Sequence, residues 1–288
     1  DCYGRIVGIK GTRGVGKTTF LLQYAKEKFG TDRSCLFINM NNFYFSGHSI
    51  VDFAYEFQRR GGKVLLIDQV FKHPDWSKEL RLCYDRFPNL KIVFTGSSVM
   101  RLKEENLELR DIVKSYNLRG FSFREYLNLQ TGMKFRSYSL EEILSNHEQI
   151  AKGILSKVRP LDHFQDYMHH GFYPFFLEKR NFSENLLKTM NMMVEVDILL
   201  IKQIELKYLS KIKKLLYFLA VDGPKAPNVS QLANDIQTSR ATVMNYIKYL
   251  ADARLINMVY PKGEEFPKKP SKIMMHNSNL MYSIYPVK

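Results

Sequence analysis

Along the first half of the chain, short apolar runs alternate with longer stretches of helical period. Arg5-Ile6-Val7-Gly8-Ile9, Ser34-Cys35-Leu36-Phe37-Ile38-Asn39, Lys63-Val64-Leu65-Leu66-Ile67-Asp68 and Lys91-Ile92-Val93-Phe94-Thr95 are each apolar over consecutive positions. That is the pattern of strands buried on both faces. Ser115-Tyr116-Asn117-Leu118 reads as a last strand. Between them lie helical stripes: Phe20, Leu21, Leu22, Tyr24 and Ala25 within Thr18 to Phe29, and Ile50, Phe53, Ala54 and Phe57 within Ser49 to Arg60. Gly61-Gly62 ends the second. Pro74-Asp75-Trp76-Ser77 opens another helix that runs to Arg86, and the charged segment from Met100 to Val113 predicts one more. Ser122-Phe123-Arg124-Glu125 has the form of a capping box opening a short helix through Gln130. Strands and helices alternating at these lengths predict a parallel sheet covered on both faces.

The pattern changes near Gly132. From Leu140 to Ala220 no strand is expected, and four helices are: Leu140–Val158, Leu161–His169, Ser183–Leu206 and Leu209–Ala220. Gly171-Phe172-Tyr173-Pro174 interrupts them, and Val221-Asp222-Gly223-Pro224 with Pro227 marks a second boundary. Beyond it, Asn228 to Ile236 reads as a short helix capped near Ser230. Gln237 and Thr238 turn, and Ser239 to Leu250 forms a second helix with Val243, Ile247 and Leu250 on one face. Leu255 to Tyr260 and Ser271 to Met275 could pair as a wing. This is a winged helix-turn-helix pattern, in which Arg240, Thr242, Asn245 and Lys248 fall away from the apolar face and are candidates for nucleic acid. The same fold also serves as a packing module. The expected organisation is therefore 1–138, 139–222 and 223–288.

One loop carries recognisable chemistry. Gly11-Thr12-Arg13-Gly14-Val15-Gly16-Lys17-Thr18-Thr19 fits G-x-x-x-x-G-K-[ST] at every fixed position, between a predicted strand and a predicted helix. Glycines let backbone N–H groups turn inward, and the helix N-terminus adds unpaired donors and partial positive charge. Lys17 is placed to reach the β- and γ-phosphates of a nucleotide, and the Thr18 hydroxyl to hold Mg²⁺. Leu65-Leu66-Ile67-Asp68 has the form of a Walker B strand, with Asp68 at its C-terminal end as the second Mg²⁺ residue. Gly96-Ser97-Ser98 follows the next strand and offers a small polar side chain for the γ-phosphate or the attacking water.

Composition adds one point. Over 288 residues the apolar content of 45% and charged content of 25% are ordinary for a globular chain. No apolar run is long enough to span a bilayer, no signal peptide is visible, and the scattered Cys2, Cys35 and Cys83 suit free thiols in a cytoplasmic protein. His169-His170 reads as surface. The net charge is +14, and from Lys202 to Lys288 there are 14 Lys and Arg against 6 Asp and Glu. An anionic partner such as DNA is expected there, or a basic surface that only aids solubility.

Taken together, these landmarks resemble the bacterial and archaeal P-loop ATPases with an AAA domain of the AAA_14 type followed by a DUF4143-type region. The residues that carry the resemblance are Gly11–Thr19, Leu65-Leu66-Ile67-Asp68, Pro74-Asp75-Trp76, Tyr84-Asp85, Phe94-Thr95-Gly96-Ser97-Ser98, Ser122-Phe123-Arg124-Glu125-Tyr126-Leu127 and the segment Ser230 to Pro261. The resemblance implies an AAA-like α/β P-loop NTPase sheet in order 5-1-4-3-2, followed by a helical lid and a winged helix. It places Ser97 at the sensor-1 position. It likens Gly171 to Pro174 to a Gly-x-Pro lid motif whose proline lies against the base, with an extra residue here. Arg110 is left as the candidate arginine finger, which would act in a nucleotide-dependent homo-oligomer. Members also continue past this point into a nuclease-like segment, while this chain opens on Asp1 and stops at Lys288.

The resemblance places Glu directly after the Walker B Asp, and this chain has Gln69. A glutamine amide cannot take a proton at neutral pH. The implied protein binds ATP or ADP with Mg²⁺ and barely hydrolyses ATP. Either Glu was replaced to trap the ATP state, the simpler history, or turnover was lost naturally. Three functions follow: an ATP-driven switch or motor with a winged-helix output, a nucleotide-gated DNA-binding or scaffold protein, or the ATPase half of a nuclease acting in defence.

Overall fold

The computed structural model describes residues 4–100, 102, 106–178, 181–199 and 201–285. Its first part is a five-stranded parallel sheet: β1 (Ile6–Gly11), β2 (Cys35–Asn39), β3 (Val64–Asp68), β4 (Lys91–Ser97) and β5 (Val113–Asn117). The order is β2-β3-β4-β1-β5, which is the 5-1-4-3-2 sheet expected. Helices α1 (Lys17–Lys28), α2 (Ile50–Arg59) and α3 (Trp76–Arg86) cover it.

The two faces follow from the strand period of two. Leu65 and Ile67 of β3, with Ile6, Ile92 and Phe94, join α2 and α3 through Ala54, Leu80 and Cys83. Val64 and Leu66 face the other way, with Val7, Ile9 and Val93, and meet Leu21 of α1. Gly8 has a packing reason: a Cβ there would lie 2.8 Å from the Phe94 ring.

The helix expected from Met100 to Val113 is not found. Among its described residues there is a single 3₁₀ turn at Leu107–Leu109, and Val113 already belongs to β5. Residues 101 and 103–105 lie outside the described residues. α4 (Phe123–Thr131) starts at Ser122 with both halves of its capping box formed, as its sequence predicts.

The remainder is helical up to the last hairpin. α5 (Leu140–Leu155) is kinked at Asn146, and α6 (Pro160–Asp166) runs into a π turn over Tyr167–Gly171. α7 (Phe182–Met192) passes into another π turn at Met193–Ile198, so the helix expected through Leu206 is shorter. α8 (Leu209–Asp222) follows. α9 (Val229–Asp235) is capped by Asn228, not Ser230: the Asn228 side chain accepts from the Gln231 N–H. α10 (Arg240–Asp252) is capped by Ser239. β6 (Ile256–Val259) and β7 (Lys272–Met275) pair antiparallel, and α11 (Ser278–Ile284) closes the described chain.

His169 and His170 are both partly exposed, the His170 side chain at 43%, in keeping with the surface reading. His169 stacks on Tyr282 with ring centroids 3.8 Å apart, and His170 meets the Asp166 carboxylate at 2.7 Å. No described helix is long and apolar enough to cross a membrane.

The second half is seated on the phosphate loop. Val15 of that loop, Val99 and Tyr173 belong to the same buried cluster as Met193, Leu215, Ile247 and Ile273. Burying apolar surface at about 25 cal/mol per Å² makes this a tight junction. It brings Pro174, Phe175 and Asp197 to the C-terminal edge of the sheet, beside Asp68, Thr95 and Ser97.

Candidate functional site

Four strand ends and one loop build the site. β1 delivers the chain into Gly11 to Gly16, and α1 begins at Lys17. Gly14 and Gly16 take φ of 84° and 92°, a region L side chains rarely adopt. At Gly14 the space is also closed: an added Cβ would lie 3.2–3.3 Å from Phe175, Thr189 and Tyr173. A Cβ at Gly11 would lie 2.4 Å from the Leu118 carbonyl oxygen. The loop is thus shaped by its own glycines and by the helical part that covers it.

Lys17 lies inside the loop, its Nζ donating to the carbonyls of Gly11 and Thr12 at 2.9 Å each. Burial pushes its pKa down to about 8, against Asp197, which raises it, while Arg13 lowers it further. The Thr18 hydroxyl donates to Asp68 Oδ2 at 2.9 Å. Asp68 is buried at the end of β3 and accepts two more bonds, from Asn39 Nδ2 at 2.9 Å and from the Thr95 hydroxyl at 2.5 Å. The carboxylate is therefore fixed in orientation from three sides.

Gln69 follows in the left-handed region, φ 54° and ψ 47°. A non-glycine residue there costs about 1–3 kcal/mol and persists only when its surroundings hold it. The hold is visible: the Gln69 N–H donates to Thr95 Oγ1 at 2.8 Å. Thr95 thus links Asp68 to Gln69. Ser97, at the end of β4, is buried, and its Oγ accepts from the Val99 N–H at 3.4 Å.

These groups surround one cavity of about 470 Å³. Arg13, Gly14, Gly16, Lys17, Thr18 and Thr19 line it, with Asp68, Gln69, Ser97 and Pro174. Gly11, Thr12 and Val15 shape the loop from behind. Thr12 is buried and its hydroxyl donates to the Ala253 carbonyl at 3.3 Å, while Val15 enters the second half's core. Arg110 is not among the lining residues; it is exposed beside the 3₁₀ turn.

Of the candidates for nucleic acid, Arg240 and Asn245 are exposed. Thr242 is half-buried with its hydroxyl 2.8 Å from that of Ser239, and Lys248 is held by Asp252 at 2.9 Å. Lys262, Lys268 and Lys269 are exposed in the turn between β6 and β7.

The sequence reading missed Thr95, Asn39 and the Arg13–Asp197 pair. Asn39 and Thr95 stand at C-terminal ends of parallel strands, where α/β sheets bind ligands, and that position was the available signal. Asp197 stands with Glu195 in the otherwise apolar run Met192-Met193-Val194-Glu195-Val196-Asp197-Ile198-Leu199, and of the two acids Asp197 is the buried one. An acid kept in such a run points to a buried partner.

Comparison with known proteins agrees with the first half of this picture. Residues 3–127 match the AAA_14 family, described as AAA domain. Residues 161–284 match DUF8612, a domain of unknown function, and not the DUF4143-type region expected. The uncharacterized protein MJ1637 of Methanocaldococcus jannaschii is 29% identical over 274 residues. That alignment takes in 90% of this chain, which spans 57% of the relative's length. Among solved structures, Thermotoga maritima RuvB T158V is similar at TM-score 0.35 and 16% identity, covering 99% of this chain and 88% of that one. The Aeropyrum pernix ORC1 protein in complex with DNA gives TM-score 0.36 at 10% identity, covering 97% and 86%. AMPPCP-bound DnaA from Aquifex aeolicus gives 0.32 at 13%, covering 88% and 83%. The family match, the sheet order and the phosphate loop agree in likening the N-terminal part of this chain to a P-loop domain of the AAA type.

Proposed function

We propose that the chain is an ATP-binding switch or motor of the AAA type, with a C-terminal winged helix-turn-helix as its output. The observation that carries this is the Thr18 hydroxyl 2.9 Å from Asp68, beside Lys17 in a glycine-turned loop. The residues fit a nucleotide with Mg²⁺. Thr18 and Asp68 are oxygen donors of the kind a hard cation takes, and Lys17 supplies the compensating charge for phosphate. When bound, Mg²⁺ would neutralise charge on the phosphate oxygens. Lys17 would exchange its two carbonyl partners for phosphate oxygens. Pro174 and Phe175 offer an apolar wall for the base. Ser97 would act near the γ-phosphate, and Arg110, exposed outside the cavity, would serve as a finger toward a neighbouring copy in a homo-oligomer.

Gln69 lines the cavity next to the fixed Asp68. In this position a carboxylate would orient water and accept its proton; an amide does only the first. The proposed protein holds ATP and turns it over slowly. Gln69 also favours a second reading, a nucleotide-gated DNA-binding or scaffold protein whose turnover is incidental. Phosphate release by purified protein with Mg²⁺, with and without DNA, separates the two. Gln69→Glu should raise the rate by about 10²–10⁴-fold. Equal rates for the two proteins would remove the hydrolytic role and leave the gate.

A further inference from the structure

A second polar cavity lies along the seam between the sheet and the C-terminal part. Two adjoining hollows of about 360 and 480 Å³ share Arg254, Asn257 and His276. Lys10 of β1 lines the first and Arg119, just after β5, the second, together with Thr12 of the phosphate loop. The cluster is cationic. Asp252 is the one acid among the lining residues described, and Lys248 pairs with it at 2.9 Å. Lys10 Nζ donates to the Met100 carbonyl at 3.3 Å.

Arg254 is the unusual member. The turn after α10 has the bonds of a Schellman motif: Leu255 N–H to the Leu250 carbonyl at 2.9 Å, and Arg254 N–H to the Ala251 carbonyl at 3.0 Å. Arg254 occupies the left-handed position of that motif, φ 60°, where glycine is usual. An L residue there costs about 1–2 kcal/mol in backbone sterics. The side chain must offset this, yet it meets no carboxylate among the described residues. Instead it is half-buried, and burial followed by the charge of Arg119 lowers its pKa. Arg119 is exposed, so water screens part of the repulsion, but a half-buried guanidinium beside a second one still favours an anion between them.

His276 reports the same field. Its Nδ1 lies 2.9 Å from Asn257 Oδ1, and Asn257 Nδ2 donates to the His276 carbonyl at 3.4 Å. Nδ1 therefore carries the proton, and Nε2 is the nitrogen that titrates. Burial, then Arg254, then Arg119, push its pKa down to about 4. Two guanidinium forks match an anion with several acceptor oxygens better than a single carboxylate, and the imidazole can donate to such an anion only once Nε2 is protonated.

We propose that this seam binds a phosphate group through Arg119 and Arg254, with His276 and Lys10 beside them, as a site separate from the nucleotide loop. The phosphate could be free or part of a nucleic-acid backbone; the chemistry is shared. The inference does not rest on the ATP reading.

The test follows the His276 imidazole by NMR as pH is lowered, in the absence and presence of inorganic phosphate, and again with a short DNA duplex. An occupied site raises the His276 midpoint from about 4 by about one unit, because a nearby anion favours imidazolium. A rise with inorganic phosphate identifies a free phosphate, and a rise with duplex alone identifies the nucleic-acid backbone. Lys17→Ala should leave either response intact, which keeps this site distinct from phosphate held in the loop. Arg119→Gln with Arg254→Gln should raise the starting midpoint and abolish the response. No rise with either probe in the parent protein, or an equal rise in the double variant, overturns the proposal.

Discussion

Arg13 and Asp197 form a two-pronged ion pair that joins the phosphate loop to the second half of the chain. Arg13 Nη2 lies 2.8 Å from Asp197 Oδ1, and Nε lies 3.4 Å from Oδ2. The Asp197 side chain is 4% exposed and that of Arg13 24%. Removing one partner of such a pair leaves the other charge stranded. Asp197→Asn should destabilise the fold by about 3 kcal/mol, at the lower end for buried pairs because Arg13 keeps some solvent. Urea denaturation of the parent and the variant measures this. A midpoint unchanged at the same slope would mean that the pair does not hold the halves together.

If the loop binds ATP as proposed, Lys17 should make the affinity depend on pH. Its free pKa, pushed down to about 8 by burial, should rise when phosphate oxygens surround the ammonium. The bound state then holds the proton to higher pH than the free state. Affinity is fully present below about pH 8 and falls above it, by about tenfold at about pH 9. Asp197 raises the Lys17 pKa, so Asp197→Asn should move the onset to lower pH. Calorimetric titrations with ATP across this range check both statements, and a flat affinity would contradict them.

DNA binding, if the proposed winged helix performs it, should fall with salt at a log–log slope of about −0.9 per phosphate neutralised. Arg240 is exposed while Lys248 is tied to Asp252, so Arg240→Ala should weaken binding more than Lys248→Ala. Retardation assays at several salt concentrations measure both. An absence of binding to duplex and single strand at low salt would make the basic C-terminal part a structural or protein-binding module.

Much of the N-terminal domain was legible because its signals are local. Runs such as Val64 to Ile67 are short enough, and closely enough bounded by turns, to fit strands buried on both faces, and the spacing from Gly11 to Thr18 fits a loop between a strand and a helix start. The capping box at Ser122 likewise reports its own helix. The segment after Met100 misled because its charged composition suggests an exposed helix, yet Val113 enters the sheet by pairing with Ile6, a contact remote in sequence. Remote contacts also hid the rest of the site. Nothing near Arg13 in the chain names Asp197, and nothing near Arg254 names Arg119. Those neighbours exist only once the second half is seated on the loop.

The central claim is that the loop from Gly11 to Thr19 binds nucleotide through Lys17. Calorimetric titration of ATP with Mg²⁺ into the parent protein and into Lys17→Ala tests it most directly, with circular dichroism showing that both are folded. Losing a charged hydrogen-bond partner of the phosphates costs about 1.5–3 kcal/mol, so the account predicts at least about tenfold weaker binding in the variant. Equal affinity in the two proteins, or no ATP binding by the parent, would contradict it.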